Sequence, residues 1–178
     1  AVLTVIQDSQ APGNYSSSGG FWRYVNAIAS YGNRLYVGSQ DGMVWADATG
    51  PNDVNGNPTY PTAFSGWTNP IWLITGTLLE QATVHDIDVA TDGSILVTFQ
   101  GKAYVSDQSD ALGSFTSIPG MNGSRLSGAI APSNPNVMYI LRSSGGVLAG
   151  LNISLDKGAS WDLIVPGGAP SIDPFRRD

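Results

Sequence analysis

Two carboxylates set two residues apart, Asp86 and Asp88 in the stretch Val84-His-Asp-Ile-Asp-Val89, are the pair in this chain best placed for acid–base chemistry. On an extended strand, side chains two residues apart share one face, so the two acids project together. Cleavage of a glycosidic bond asks for two carboxyl groups about 5–10 Å apart, and a cation site asks for converging oxygens. Channel-lining acids that bond water and neighbouring backbone have the same spacing, so both readings stand at this point. His85 lies beside them and points the opposite way. It is the chain's only histidine, which excludes a His-based metal cluster, and no Gly-x-Ser-x-Gly elbow supplies a serine nucleophile. The chain has no cysteine, so disulfides, thiolate metal sites and a thiol nucleophile are excluded. Asp41-Gly42 and Asp92-Gly93 read as hairpin turns, with no Asp-x-Asp-x-Asp-Gly string of a calcium loop. Gly145-Gly146 is followed by neither a lysine nor a helix start, so it reads as a turn and not a phosphate cradle. No metal site and no cofactor is expected.

The elements that must position these residues are strands. Charged residues make up 12% of the chain, against about 25% in an average domain, and there are 22 glycines and 11 prolines. Thirteen of the 14 acids are Asp, a turn residue, and the single glutamate is Glu80. Helical periodicity is nearly absent; the longest candidate, Ile71–Thr83, is interrupted by Gly76. Short β-branched or aromatic runs bounded by turn residues predict strands at Val2–Ile6, Tyr24–Ser30, Arg34–Ser39, Met43–Ala46, His85–Ala90, Ile95–Gln100, Ala103–Ser106, Ser127–Ala131, Val137–Arg142, Val147–Ser154 and Trp161–Val165.

These strands repeat. The segments beginning at Val25, Val84 and Leu126 each run small strand, turn, apolar strand, glycine turn, third strand, with Ile28, Ile87 and Ile130 as markers. The spacing suits propeller blades of roughly 40–50 residues, with an insertion over Thr49–Thr83. An inner strand that lines a crowded channel favours Ala and Gly, and a second strand buried on both faces reads as continuously apolar. The sequence therefore predicts an all-β fold of β-propeller-like blades with four antiparallel strands each. About three blades are present, over residues 21–83, 84–124 and 125–165, with 166–178 starting a further blade or a tail. Complete rings hold about 4–8 blades, so this propeller is expected to be incomplete and to be closed by the remainder of a longer polypeptide or by other protein chains.

The third repeat ends in Ser154-Leu-Asp-Lys-Gly-Ala-Ser-Trp161. This Ser-x-Asp-x-Gly-x-x-Trp string closely resembles the Asp-box, or BNR repeat, on propeller blades of sialidases, xyloglucanases, sortilin-type receptors and bacterial surface proteins. The resemblance implies a structural hairpin between the third and fourth strands of a blade. Asp156 would accept backbone N–H groups, Gly158 would take a positive φ, and Ser154 and Trp161 would brace and cover the turn. Weaker traces stand at Ser106-Asp107 with Gly113 and Phe115, and at Asp47 with Gly50. The sialidase arginine motif Phe-Arg-Ile-Pro is not matched by Phe21-Trp-Arg-Tyr24, so the resemblance points to the non-catalytic surface-protein branch. Trp22, Tyr60, Trp67 and Trp72 either form a stacking platform for sugars or fill the space between blades. Three Asn-x-Ser sequons, at Asn14, Asn122 and Asn152, matter only where the source glycosylates.

The net charge of −6, with eight scattered basic residues, argues against a nucleic-acid partner. No apolar run approaches the ~20 residues of a membrane helix, so no membrane insertion is expected. Ala1 suits a processed, secreted or cell-surface protein. The function expected is binding, adhesion or assembly, with glycans among the ligands. A fragment of an Asp-box glycoside hydrolase acting on polysaccharide is the alternative.

Overall fold

A computed structural model describes residues 25–40, 42–47, 54–55, 83–99, 101–106 and 115–167. All elements among them are strands: β1 (Val25–Tyr31), β2 (Arg34–Ser39), β3 (Gly42–Asp47), β4 (Val84–Val89), β5 (Ile95–Phe99), β6 (Lys102–Ser106), β7 (Thr116–Asn122), β8 (Arg125–Ile130), β9 (Met138–Ser144), β10 (Val147–Ser154) and β11 (Asp162–Pro166). They form three antiparallel meanders, β1-β2-β3, β4-β5-β6-β7 and β8-β9-β10-β11. Here these are blades one, two and three. The inner strands β1, β4 and β8 follow one another side by side, as in a propeller.

Glycines supply the reversals. Gly145 and Gly146, at φ 58° and 79°, join β9 to β10, a pair of positive φ values that suits a tight hairpin. At the other hairpin of note, Ser94 N donates to the Asp92 carboxylate (3.1 Å) and Gly93 takes φ 87°. The sequence did not predict β7. Its Pro119 and the positive φ of Gly120 (77°) break the strand signal, yet both are tolerable on an outermost strand whose free edge needs no ladder.

Two apolar layers hold the blades together. Between blades one and two lie Ala27, Tyr36, Met43, Val84, Ile87, Ile95, Val97 and Phe99, with Phe99 and Tyr104 stacked at 4.4 Å. Between blades two and three lie Leu96, Ala103, Ile118, Leu126, Ile130, Met138 and Ile140. Every side chain of β5 is therefore buried, as expected for a second strand enclosed on both faces. β9, with one face toward blade two, instead alternates buried and half-buried residues over Met138–Leu141. The three marker isoleucines do not share one environment. Ile87 and Ile130 are 5% exposed, but Ile28 is 60% exposed. Ile87 faces Gly38 of the preceding blade, and Ile28, which pairs with Val37 as Ile87 pairs with Val97, has no such neighbour among the described residues.

The strand predicted at Val2–Ile6, the helical candidate Ile71–Thr83 apart from Thr83, and nearly all of the Thr49–Thr83 insertion lie outside the described residues.

Candidate functional site

Asp86 and Asp88 do share one side of β4, and both reach the free edge of the next inner strand. Asp86 Oδ2 accepts from Gly128 N (3.2 Å) and from the Ser127 hydroxyl, and Asp88 Oδ2 accepts from Ile130 N (2.6 Å). The second oxygens turn back on their own strand: Asp86 Oδ1 accepts from Ile87 N (3.0 Å) and Asp88 Oδ1 from Val89 N (2.9 Å). Each carboxylate thus straddles two strands and satisfies one amide on each. This is how the inner strands of blades two and three, which are not joined by a ladder, avoid leaving half-buried donors without partners. Thr98 adds a buried bond across the same seam, from its hydroxyl to Leu126 O (3.0 Å). At the seam of blades one and two no acid occupies β1, and Asn26 Nδ2 donates to Val84 O (2.9 Å) instead.

His85 lies beside this clasp. Burial and the nearby Arg125 guanidinium hold its pKa below the ordinary value despite the opposing pull of Asp86, so the ring is neutral at pH 7. Its Nδ1 is buried and has no hydrogen-bond partner among the described residues. Among the described residues no three His, Asp or Glu side chains converge as a metal site would require.

The turn Ser154–Trp161 joins the third and fourth strands of blade three. Ser154 Oγ donates to Asp156 Oδ1 (2.8 Å) and accepts from Gly158 N (2.8 Å) and Asp156 N (3.3 Å). Asp156 also accepts from Ser160 N (2.8 Å) and Ser160 Oγ (2.6 Å), and Trp161 Nε1 donates to Gly158 O (3.0 Å). Lys157 and Gly158 both take positive φ, 57° and 85°. All four residues singled out in the sequence meet in one closed set of local bonds. What the sequence did not reveal is that the turn also grips blade two. The Lys157 ammonium pairs with the Asp92 carboxylate and Gly158 packs near Val105, while Lys157 N donates to Asn136 O (3.0 Å) within blade three. No local signal could show the ion pair, because its partners are 65 residues apart.

The bonds from Ser160 and then from Ser154 lower the Asp156 pKa from the ordinary 3.8 to about 2. Asp92 is also lowered to about 2, because Lys157 and Ser94 outweigh the upward push of partial burial. Both folded-state values lie below the unfolded ones, so their stabilisation is full above pH 3.8 and is lost as pH falls through about 2. The Tm is therefore expected to drop steeply between pH 4 and 2, and Asp156→Asn is expected to lower the Tm at pH 6 and to flatten that drop. Superimposable Tm–pH curves for the two proteins would contradict the role given to this carboxylate.

A cleft of about 370 Å³ opens between the turn and blade two, lined by Ser94, Val105, Ser106, Thr116, Lys157 and Gly158. Among the described residues that line it, Lys157 is charged and is paired with Asp92. The candidate sugar-stacking residues Trp22, Tyr60, Trp67 and Trp72 lie outside the described residues.

No family model and no curated protein matches the chain. Among solved structures it is similar to the GH74 enzyme of Niastella koreensis, at 14% identity and a TM-score of 0.52 over 91% of this chain and 22% of that one. It is also similar to an ancestral GH74 enzyme, at 16% identity and a TM-score of 0.50 over 78% of this chain and 18% of the other. The chain spans about a fifth of the length of these two structures. At such identities the likeness is one of fold, and the fold shared is the β-propeller.

Proposed function

We propose that the chain is a non-catalytic β-propeller segment that acts in binding, adhesion or assembly. On this reading the turn at Ser154–Trp161 is an Asp-box, the protein works outside the cell or at its surface as many Asp-box proteins do, and further sequence or partner chains complete the ring. Glycans are among the ligands such a scaffold would present its loops to. The observation that carries the reading is the fate of the best acid pair. Asp86 and Asp88 each spend both oxygens on backbone amides of blades two and three, which leaves neither placed to protonate a leaving group or activate water.

A second reading, a fragment of a glycoside hydrolase acting on polysaccharide, draws support from the two GH74 enzymes among the similar structures. Incubation of the chain with soluble plant and bacterial polysaccharides, followed by assay of reducing ends, separates the two. No release above the buffer control is expected. Release that disappears in Asp86→Asn or Asp88→Asn proteins of unchanged far-UV circular dichroism would favour the hydrolase.

A further inference from the structure

We propose that Asn122 is an attachment site for an N-linked glycan and that Asn152, which heads a second sequon of the same form, is not. The inference rests on the reading that the protein works outside the cell, where such glycans occur. Asn122-Gly-Ser124 and Asn152-Ile-Ser154 both satisfy the Asn-x-Ser rule, so the sequence treats them alike. The structure separates them. The third sequon, at Asn14, lies outside the described residues.

Asn122 ends β7, the outermost strand of blade two, and is exposed, as is its cross-strand partner Lys102. Arg142 Nη1 donates to the Asn122 carbonyl (3.4 Å), and the next amide, Gly123 N, donates to Gly101 O (3.0 Å). The backbone is therefore fixed, while the side-chain amide forms no hydrogen bond among the described residues. A sugar on its Nδ2 displaces no bond. Ser124 is exposed too, and its hydroxyl makes only long contacts, to Ser143 O (3.2 Å) and Ser143 Oγ (3.3 Å).

Asn152 is the opposite case. It is 5% exposed and lies across the ladder from Ile140, which is buried between blades two and three. Cross-strand partners share one face of a sheet, so Asn152 is turned into that seam. Its Oδ1 accepts from Arg142 Nε (2.9 Å), a bond whose loss would leave a half-buried donor unpaired. The hydroxyl of this sequon is also committed: Ser154 is 1% exposed and braces the turn through Asp156 and Gly158. A glycan on Asn152 would occupy the space where blade two packs, so a chain that carried one could not close the seam. At Asn122 the step is a glycosyl transfer from a lipid-linked oligosaccharide pyrophosphate, performed by the transferase of the secretory route. Asn122 Nδ2 bonds to the anomeric carbon, and the bond from that carbon to the pyrophosphate oxygen breaks. The lipid pyrophosphate leaves with the electron pair, and the amide gives up one proton to a base of the transferase. Nothing is oxidised or reduced.

Secretion of the full chain behind a cleavable leader, from a yeast that N-glycosylates, tests this. Chain from the medium and chain retained in the cells are both digested with peptide:N-glycosidase in heavy-oxygen water, which turns each glycosylated Asn into a labelled Asp, and the sites are read by peptide mass spectrometry. Label is expected at Asn122 and is expected to be absent from Asn152 in the secreted chain. Ser124→Ala is expected to abolish the label at Asn122 and Ser124→Thr to keep it. Asn122→Gln is expected to be secreted without that glycan and with the far-UV circular dichroism of the wild type. An unlabelled Asn122 in both fractions overturns the proposal, so poor secretion does not remove the readout. Label at Asn152 in secreted chain of unchanged circular dichroism overturns it too, as does label at Asn122 that survives Ser124→Ala. The host supplies the secretory route, so the result does not depend on where the native protein works. Fractionation of the native source reads that location separately, and a failure of this proposal and a failure of the extracellular reading are thereby told apart.

Discussion

Replacement of both Asp86 and Asp88 by alanine is expected to destabilise the protein by about 3–5 kcal/mol, since hydrogen bonds to charged groups contribute about 1.5–3 kcal/mol each and orphaned donors are costly. The double substitution removes every partner that the Ile87, Val89, Gly128 and Ile130 amides have in the carboxylate clasp, together with the acceptor of the Ser127 hydroxyl. Water reaches part of this half-buried edge and offsets some of the loss, which keeps the figure below the sum of the individual bonds. Domains of this size are stable by about 5–15 kcal/mol, so much of the margin disappears. Urea unfolding gives the global number, and amide exchange at Gly128 and Ile130 gives the local one. Asn at either position keeps an acceptor for one strand but turns an NH₂ toward the other, so each Asn variant should fall between wild type and the alanine variant. A loss under about 1 kcal/mol in the double alanine protein would mean that the clasp is replaced by water at little cost, and the structural role assigned to these acids would be wrong.

That result would also bear on what a sequence can say about a carboxylate pair. The spacing of Asp86 and Asp88 correctly placed both on one side of a strand, because period-two alternation is a local property of extended backbone. Their partners are 41 or 42 residues away on β8. The same local pattern therefore serves an acid–base pair and an inter-blade clasp equally, and only the tertiary neighbour decides. The turn at Ser154–Trp161 was legible for the opposite reason: its bonds within blade three close within a few residues, so sequence alone carries the geometry. The grip of Lys157 on Asp92 was hidden, again by distance along the chain. β7 was missed because strand signals presuppose a residue that packs and donates on both edges, and an outer strand is released from half of that demand. Ile28 read as equivalent to Ile87 because the repeat is real in backbone register; what differs is that, among the described residues, a preceding blade receives Ile87 and none receives Ile28.

The tightest point in the repeat is Gly38, and Gly38→Ala is expected to cost about 2–3 kcal/mol, toward the upper end of the 1–3 kcal/mol typical of overpacking. A Cβ there would lie 2.4 Å from Val84 Cγ1, 2.9 Å from Val84 Cβ and 3.0 Å from Ile87 Cδ1, whereas carbon atoms in good contact stand about 3.5–4.0 Å apart. Gly38 does not have a positive φ, so the cost is steric and not conformational. Its neighbours cannot swing aside, because Val84 and Ile87 are enclosed by Tyr36, Met43, Val97 and Phe99 in the same apolar layer. The effect should therefore appear as a displacement of blade two against blade one. The decisive measurement is a double-mutant cycle with Val84→Ala, which removes the nearer of the clashing methyls. Val84→Ala alone should destabilise by roughly 1–3 kcal/mol through the cavity it leaves. Combined with Gly38→Ala, the two costs should be sub-additive by about 1 kcal/mol or more, because the new methyl occupies space that the lost ones vacate. Strict additivity would show that Gly38 and Val84 do not share a packed seam in solution. The enclosure of Val84 and Ile87 against blade one would then lose its physical basis.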